Sequence, residues 1–338
     1  MRFDKDKKKS ITIYLLEKID QGDSSISKAV SDAFSINQNT VHRYINELTK
    51  QGIIRRVKRN QYELVNQRYE YHLKRSNGDL LSDMYAYDAC LSQHISQLPE
   101  NVQQIWAYTF SEMINNVMDH SDAENLIIRV EQNYLKTTTV IEDDGIGIFK
   151  KIKDHFCFES LEDAICELFK GKLTTDTKNH SGEGIFFSSK MMDDFYIISD
   201  GKIFTINKYD NSVINDIAAR ERAGTCVFMS LSNFSHKENR EVFDLYANVD
   251  GGFIKTTIPM KNIFDSYPVS RSQAKRVCNR LEKFQEVIID FNELQWMGQG
   301  FAHQLFVVFA NEHPEIKLTP IGMNESIEKM YTHVISES

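Results

Sequence analysis

Three short stretches near the start of the chain carry apolar residues at the i, i+3, i+4 spacing of a helix. In SITIYLLEKI these are Ile11, Tyr14, Leu15 and Ile19; in SSISKAVSDAF they are Ile26, Ala29, Val30 and Phe34. SINQNTVHRYINELTKQG follows with Val41, Tyr44, Ile45 and Leu48 on one face, Asn37 placed to cap the helix and Gly52 to end it. GIIRRVKRNQYELV has two β-rich pieces around KRNQ and predicts a hairpin. Helical spacing returns in IWAYTFSEMINNVMDHS, residues 105–121, through Ile105, Tyr108, Met113, Ile114 and Val117. ENLIIRVEQ, TTTVIEDDGIGI and AGTCVFMSL read as strands, and IFFSSKMMDDF as a helix behind HSGEG. In the last third, helix and strand alternate: KRVCNRLEKF, EVIIDF, GFAHQLFVVFANEHP, IKLTPIG and NESIEKMYTHV. Phe301, Leu305, Phe306 and Phe309 recur at helical spacing there and are expected in a core.

A chain of 338 residues suggests two or three domains. Its 41% hydrophobic and 26% charged residues are those of a folded chain. No apolar run approaches the roughly 20 residues of a membrane span, and MRFDKDKKKSITIY lacks a signal-peptide core, so a cytoplasmic location without membrane contact is expected. The five cysteines are scattered and never spaced CxxC, which argues against both a disulfide framework and a zinc ribbon. Charge changes the picture more. Residues 1–60 hold thirteen Lys and Arg against seven Asp and Glu, a net of +6, leaving −14 for the rest of a chain whose total is −8. A basic head on an acidic body suggests a nucleic-acid contact at that end.

The first sixty-five residues resemble the winged helix-turn-helix of bacterial regulators, most closely in NTVHRYINELTKQGIIRR. Gln38, Asn39, Thr40 and Arg43 would then face base edges of double-stranded DNA, and Arg55, Arg56, Lys58 and Arg59 its phosphates. A protein-contact module is the other use of the same elements.

Two features of the central segment carry chemistry. Glu112 and Asn116 sit four apart on the predicted helix, with Asp119 three further on, so a carboxylate and a carboxamide share one side. Such a pair can orient a water and offer oxygen to Mg²⁺, although a solvated polar stripe has the same pattern. In IEDDGIGI, the strand ends on Asp143 and is followed at once by Gly145 and Gly147. That reads as a turn, or as a site where the carboxylate meets an adenine amino group and the glycines admit the base.

Taken in order, the helix, IEDDGIGI, the Gly182 and Gly184 pair and Gly224-Thr225 resemble the ATP-binding GHKL fold shared by DNA gyrase, the ninety-kilodalton heat-shock chaperones, histidine kinases and mismatch-repair ATPases. The resemblance implies ATP and Mg²⁺ as cofactors, Glu112 as general base, Asn116 on the metal, and Asp143 on adenine with Gly145, Gly147 and Thr225 around it. Phosphates would lie at Gly182 and Gly184, where a helix begins. Residues 149–182 would form a long lid, with Lys170, Lys172 and Lys178 as phosphate contacts or as solvated surface. A Walker A motif is absent.

The last third resembles a STAS-like domain of unknown function, best in DFNELQWMGQGFAHQLFVVF. Related anti-sigma antagonist domains carry a phosphorylatable serine after the strand. QWMGQG has neither serine nor threonine, so no phosphorylation switch is expected there.

The expected fold is therefore multidomain α+β: a winged helix over 1–66, a helical connector or start of the ATPase domain over 67–104, a histidine-kinase-like ATPase α/β sandwich over 105–235 and a STAS-like α/β domain over 252–338. The implied function is an ATP-binding, ATP-hydrolysing regulator that couples nucleotide state to DNA or to a protein partner of the C-terminal domain. Homodimerisation is compatible with it. The alternatives are a serine/threonine kinase of the anti-sigma type and an adaptor that holds ATP without cleaving it.

Overall fold

A computed structural model describes residues 4–173, 182–207, 223–248, 252–264 and 267–336. The helices α1 (Lys5–Asp20), α2 (Ile26–Phe34) and α3 (Gln38–Lys50) form where the periodicity predicts them. Asn37 caps α3 by accepting a 2.8 Å hydrogen bond from the Asn39 backbone N–H. Ile11, Leu15, Leu16, Ile19, Val30, Val41, Ile45 and Leu48 build a small core of their own, closed by the antiparallel hairpin β1 (Ile54–Lys58) and β2 (Gln61–Leu64). That head rests on Tyr134 and Leu135 of the central unit, and Asp20 lies 3.8 Å from Lys136.

The central unit is a six-stranded antiparallel sheet in the order β3-β4-β5-β8-β6-β7. Its strands are β3 (Gln67–Lys74), β4 (Asn125–Gln132), β5 (Lys136–Asp143), β6 (Asp194–Ser199), β7 (Lys202–Thr205) and β8 (Thr225–Ser232). The short helices α4 (Asp83–Tyr87) and α5 (Gln93–Ile95) follow β3, and α6 (Glu100–Asn116) runs from them to β4. Residues 67–104, expected as a helical connector or as the start of the domain that follows, thus begin with a strand of the central sheet. QRYEYHLK occupies a sheet edge, where only Tyr71 and Leu73 pack against the core, so the apolar signal is weak.

Of the expected long lid, residues 149–173 and 182 are described, and most of these are helical. Ile148–Phe156 forms α7, burying Phe149 and Ile152, and Leu161–Lys170 forms α8 behind a capping box of Ser160 and Asp163. Helix α9 (Gly184–Met191) packs on α6, and α10 (Asn239–Tyr246) packs on both.

The C-terminal unit is a parallel sheet of β9 (Lys255–Pro259), β10 (Glu286–Asp290) and β11 (Lys317–Ile321), with β10 in the middle. The short α11 (Met260–Ile263) and then α12 (Arg271–Cys278) connect β9 to β10. α13 (Gln299–His303) continues helically through Glu312, and α14 (Glu325–Ser336) covers the end. Phe301, Leu305, Phe306 and Phe309 are buried. Strand β9 was not legible in the sequence pattern; it pairs with β10 and lies against α8. Central and C-terminal units consequently share one continuous core, whereas the N-terminal head keeps its own. The chain is a multidomain α+β protein. Among the described residues no helix is long and apolar enough to cross a membrane, and all five cysteines are free, with Cys90, Cys166 and Cys278 buried, Cys226 half-buried and Cys157 exposed.

Candidate functional site

Helix α6 buries Val102, Ile105, Trp106, Phe110, Met113 and Ile114, and this leaves Glu112 and Asn116 on the flank facing α9 and the ends of the strands. There they join a cavity of about 230 Å³. Its wall also takes Asp143 from the end of β5, Gly147, Gly182 and Gly184 from the two glycine stretches, and Thr225 from the start of β8. Residues far apart in the chain are thereby gathered around one space. Met113, Ile148, Ile152, Ile197 and Val227 supply apolar wall, suited to a flat ring.

Asp143 is 8% exposed. Burial pushes its carboxyl up to about 6, against the backbone N–H groups of Gly145 and Thr225, which favour the ionised form. The Gly145 N–H lies 2.8 Å from Asp143 Oδ1. A carboxyl held above its ordinary 3.8 favours its neutral form in the fold. The stability it contributes is present below the unfolded value and is lost as pH rises through about 6. A ligand that donates a hydrogen bond to the carboxylate must therefore pull its titration down. In ¹³C NMR the Asp143 carboxyl is expected to titrate near 6 in the free protein and lower with an adenine nucleotide bound. A midpoint unmoved by saturating nucleotide counts against an adenine contact.

Space excludes a side chain at several glycines of the site, Gly147 and Gly184 among them. Gly147 has φ +85°, and a Cβ there would press on the Asp200 carboxylate. At Gly184, the first residue of α9, a Cβ would overlap Glu112 Oε2, so the carboxylate lies directly against this helix start. Thr225 Oγ1 accepts a 3.1 Å hydrogen bond from the Ile148 N–H and ties β8 to the start of α7.

Other expected residues are placed elsewhere. Asp119 is not in the cavity wall, because the helix widens into a π turn over Val117–Ser121. With i→i+5 bonding, positions four and five beyond Asn116, His120 and Ser121, come round to the cavity instead of the third. Lys178 lies outside the described residues. Lys170 and Lys172 point away from the cavity into the C-terminal unit.

A family model described as a STAS-like domain of unknown function (DUF4325) matches residues 273–328. The C-terminal unit carries a STAS-like domain. No match among curated proteins was found for the chain.

The STAS-like domain grips the base of the segment that follows α8. Lys170 is 1% exposed; its Nζ donates to Glu167 Oε1 at 2.6 Å, to the Arg276 carbonyl at 3.1 Å and to the Asn279 carbonyl. The last two lie at the C-terminal end of α12, where carbonyl dipoles favour a cation. Arg280 Nε stands 3.4 Å from Glu167 Oε2, Arg276 pairs with Asp163, and Thr256 Oγ1 donates to the Lys170 carbonyl at 2.8 Å. Lys172 Nζ donates to the Lys283 carbonyl at 2.9 Å and lies over the rings of Phe284 and Phe253. Leu168, Gly171 and Leu173, interleaved with these residues, line the cavity. One six-residue stretch therefore has a side in the candidate site and a side in the STAS-like domain.

At the other end, Gln38, Asn39, Arg43, Arg55, Arg56, Lys58 and Arg59 are exposed and Thr40 is half-exposed, along α3 and the hairpin. Arg55 is engaged by Glu63 across the hairpin. Missed in the sequence were His120, Ser121 and Lys151. The first two required the π turn; Lys151 was signalled only by its place one turn beyond Gly147, the residue that precedes α7.

Proposed function

We propose that this protein binds and hydrolyses Mg-ATP at the cavity below α6 and uses the nucleotide state to regulate what its two flanking domains bind. The observation that carries the reading is the convergence of Glu112, Asn116, Asp143, Gly147, Gly182, Gly184 and Thr225 on one cavity, in the arrangement the GHKL resemblance implies. Asp143 receives the adenine amino group, the apolar wall holds the ring, and the start of α9 faces the phosphates.

Asn116 offers a hard oxygen to Mg²⁺. Among the described residues no cluster of three or more His, Cys, Asp or Glu forms a ready-made metal cage, which suits an ion held mainly by phosphate and water. Mg²⁺ would neutralise charge on the phosphates. Glu112 takes the proton of the attacking water, the water oxygen bonds to the γ-phosphorus, and the bond from that phosphorus to the β–γ bridging oxygen breaks to release ADP. In this reading the basic head is a winged helix on double-stranded DNA, and the STAS-like domain presents nucleotide state to a protein partner. The shared stretch from Leu168 to Leu173 supports the second output most directly, since the head docks on Tyr134 and Leu135, away from that stretch.

Calorimetry with Mg-ATP tests the reading. Wild type is expected to bind and Asp143→Asn to lose most of the affinity, because the amide replaces one acceptor oxygen with a donor facing the adenine amino group. With duplex DNA, a mobility shift that fades steeply as salt rises is expected from the head. No heat with any adenine nucleotide would remove the proposal's basis.

A further inference from the structure

Lysines on the lid side were the expected cations for a polyphosphate, yet Lys170 and Lys172 spend their ammonium groups on Glu167 and on carbonyls of the STAS-like domain. The cavity itself has a different composition. Among the described residues that line it, Glu112 and Asp143 are the carboxylates and Lys151 is the one lysine or arginine. Two carboxylates around one small space repel a polyanion unless cations offset them.

The geometry of Lys151 fits that task. Gly147 sits immediately before α7, and the Lys151 backbone N–H donates to its carbonyl at 3.0 Å. Lys151 is thereby set one turn in from the glycine stretch. Its neighbours divide the helix: Lys150 is exposed, and Ile152 is buried in the cavity wall. The Lys151 Nζ donates to the carbonyl of His120, one turn beyond Asn116, and Asp122 Oδ2 stands 4.0 Å away. Lys151 thus bridges the two elements that carry Asn116 and Gly147. An ammonium has three donors. With the side chain 23% exposed, it can turn from the distant Asp122 towards a phosphate without crossing the packed core.

We propose that Lys151 is the residue by which this site recognises the phosphates of its nucleotide, in place of Lys170 and Lys172. The assignment rests on the nucleotide reading of the cavity and adds what that reading lacks, a cation on the wall.

The test uses the full chain and compares Mg-ATP, by calorimetry, with adenosine, by competition, for wild type, Lys151→Met, Lys151→Arg and Lys172→Met. A charge-assisted contact predicts that Lys151→Met weakens Mg-ATP about ten- to hundredfold and leaves adenosine unchanged. Lys151→Arg should keep most of the affinity because it keeps the charge, and Lys172→Met should match wild type. Unchanged Mg-ATP affinity in Lys151→Met overturns the assignment. So does an equal loss for adenosine, which would make Lys151 a strut between His120 and α7. A wild type that binds adenosine and Mg-ATP equally removes Lys151 alone, whereas a wild type that binds neither removes the nucleotide reading with it.

Discussion

Replacing Glu112 with alanine is expected to lower ATP turnover about 10²–10⁴-fold while Mg-ATP affinity stays close to wild type, the range a general base contributes. The expectation follows from where the carboxylate sits. α6 holds it on the cavity flank, against Gly184 at the start of α9, where any Cβ would displace it. Its position depends on the α6–α9 packing rather than on the ligand, so truncation removes the proton acceptor and leaves the adenine end intact. Phosphate release under saturating Mg-ATP, paired with calorimetry on the same samples, separates the two effects. Turnover equal to wild type would sink the general-base role, and a parallel loss of binding would make Glu112 a ligand contact instead. The same carboxylate could deprotonate a hydroxyl of a protein partner, so transfer of labelled γ-phosphate to protein in the wild type would redirect the reading to a kinase.

A second large effect is expected far from catalysis. Lys170→Met should destabilise the protein by about 3–5 kcal/mol, the usual cost of removing one member of a buried ion pair. Lys170 and Glu167 are 1% and 3% exposed, and the substitution strands Glu167 with Arg280 at 3.4 Å and an amide donor from Asn279 at 3.2 Å. It also leaves the carbonyls of Arg276 and Asn279 without their cation. Because the penalty lies in the orphaned partner, Lys170→Met combined with Glu167→Met should cost less than the sum of the single changes. Urea unfolding of the four proteins measures this. A single-mutant cost below about 1 kcal/mol, the ordinary value of a solvated pair, would mean that the seam between α8 and the STAS-like domain is open in solution.

Glu112 and Asn116 were legible because their relation is local. A four-residue step along a helix places two side chains on one face whatever the rest of the chain does. The Asn37 cap and the buried Val41, Ile45 and Leu48 were legible for the same reason. Asp119 shows the limit: a single π turn, invisible in apolar spacing, exchanged it for His120 and Ser121 in the cavity wall.

Sequence alone determined the helix faces, the caps, the order of the glycine stretches and the basic character of the head, since each is written within a few residues. Tertiary structure decided the rest. The carbonyls that hold Lys170 lie 106 and 109 positions along the chain, and the one that holds Lys172 lies 111 positions along. A lysine's partner at that range is set by which surfaces pack, and no local pattern distinguishes a phosphate contact from a clamp between domains. The edge strand β3 and the wall position of Lys151 depend likewise on neighbours brought in from other segments. Burial of apolar surface across the shared core chose those neighbours, and it is non-directional, so it leaves little trace in any one segment.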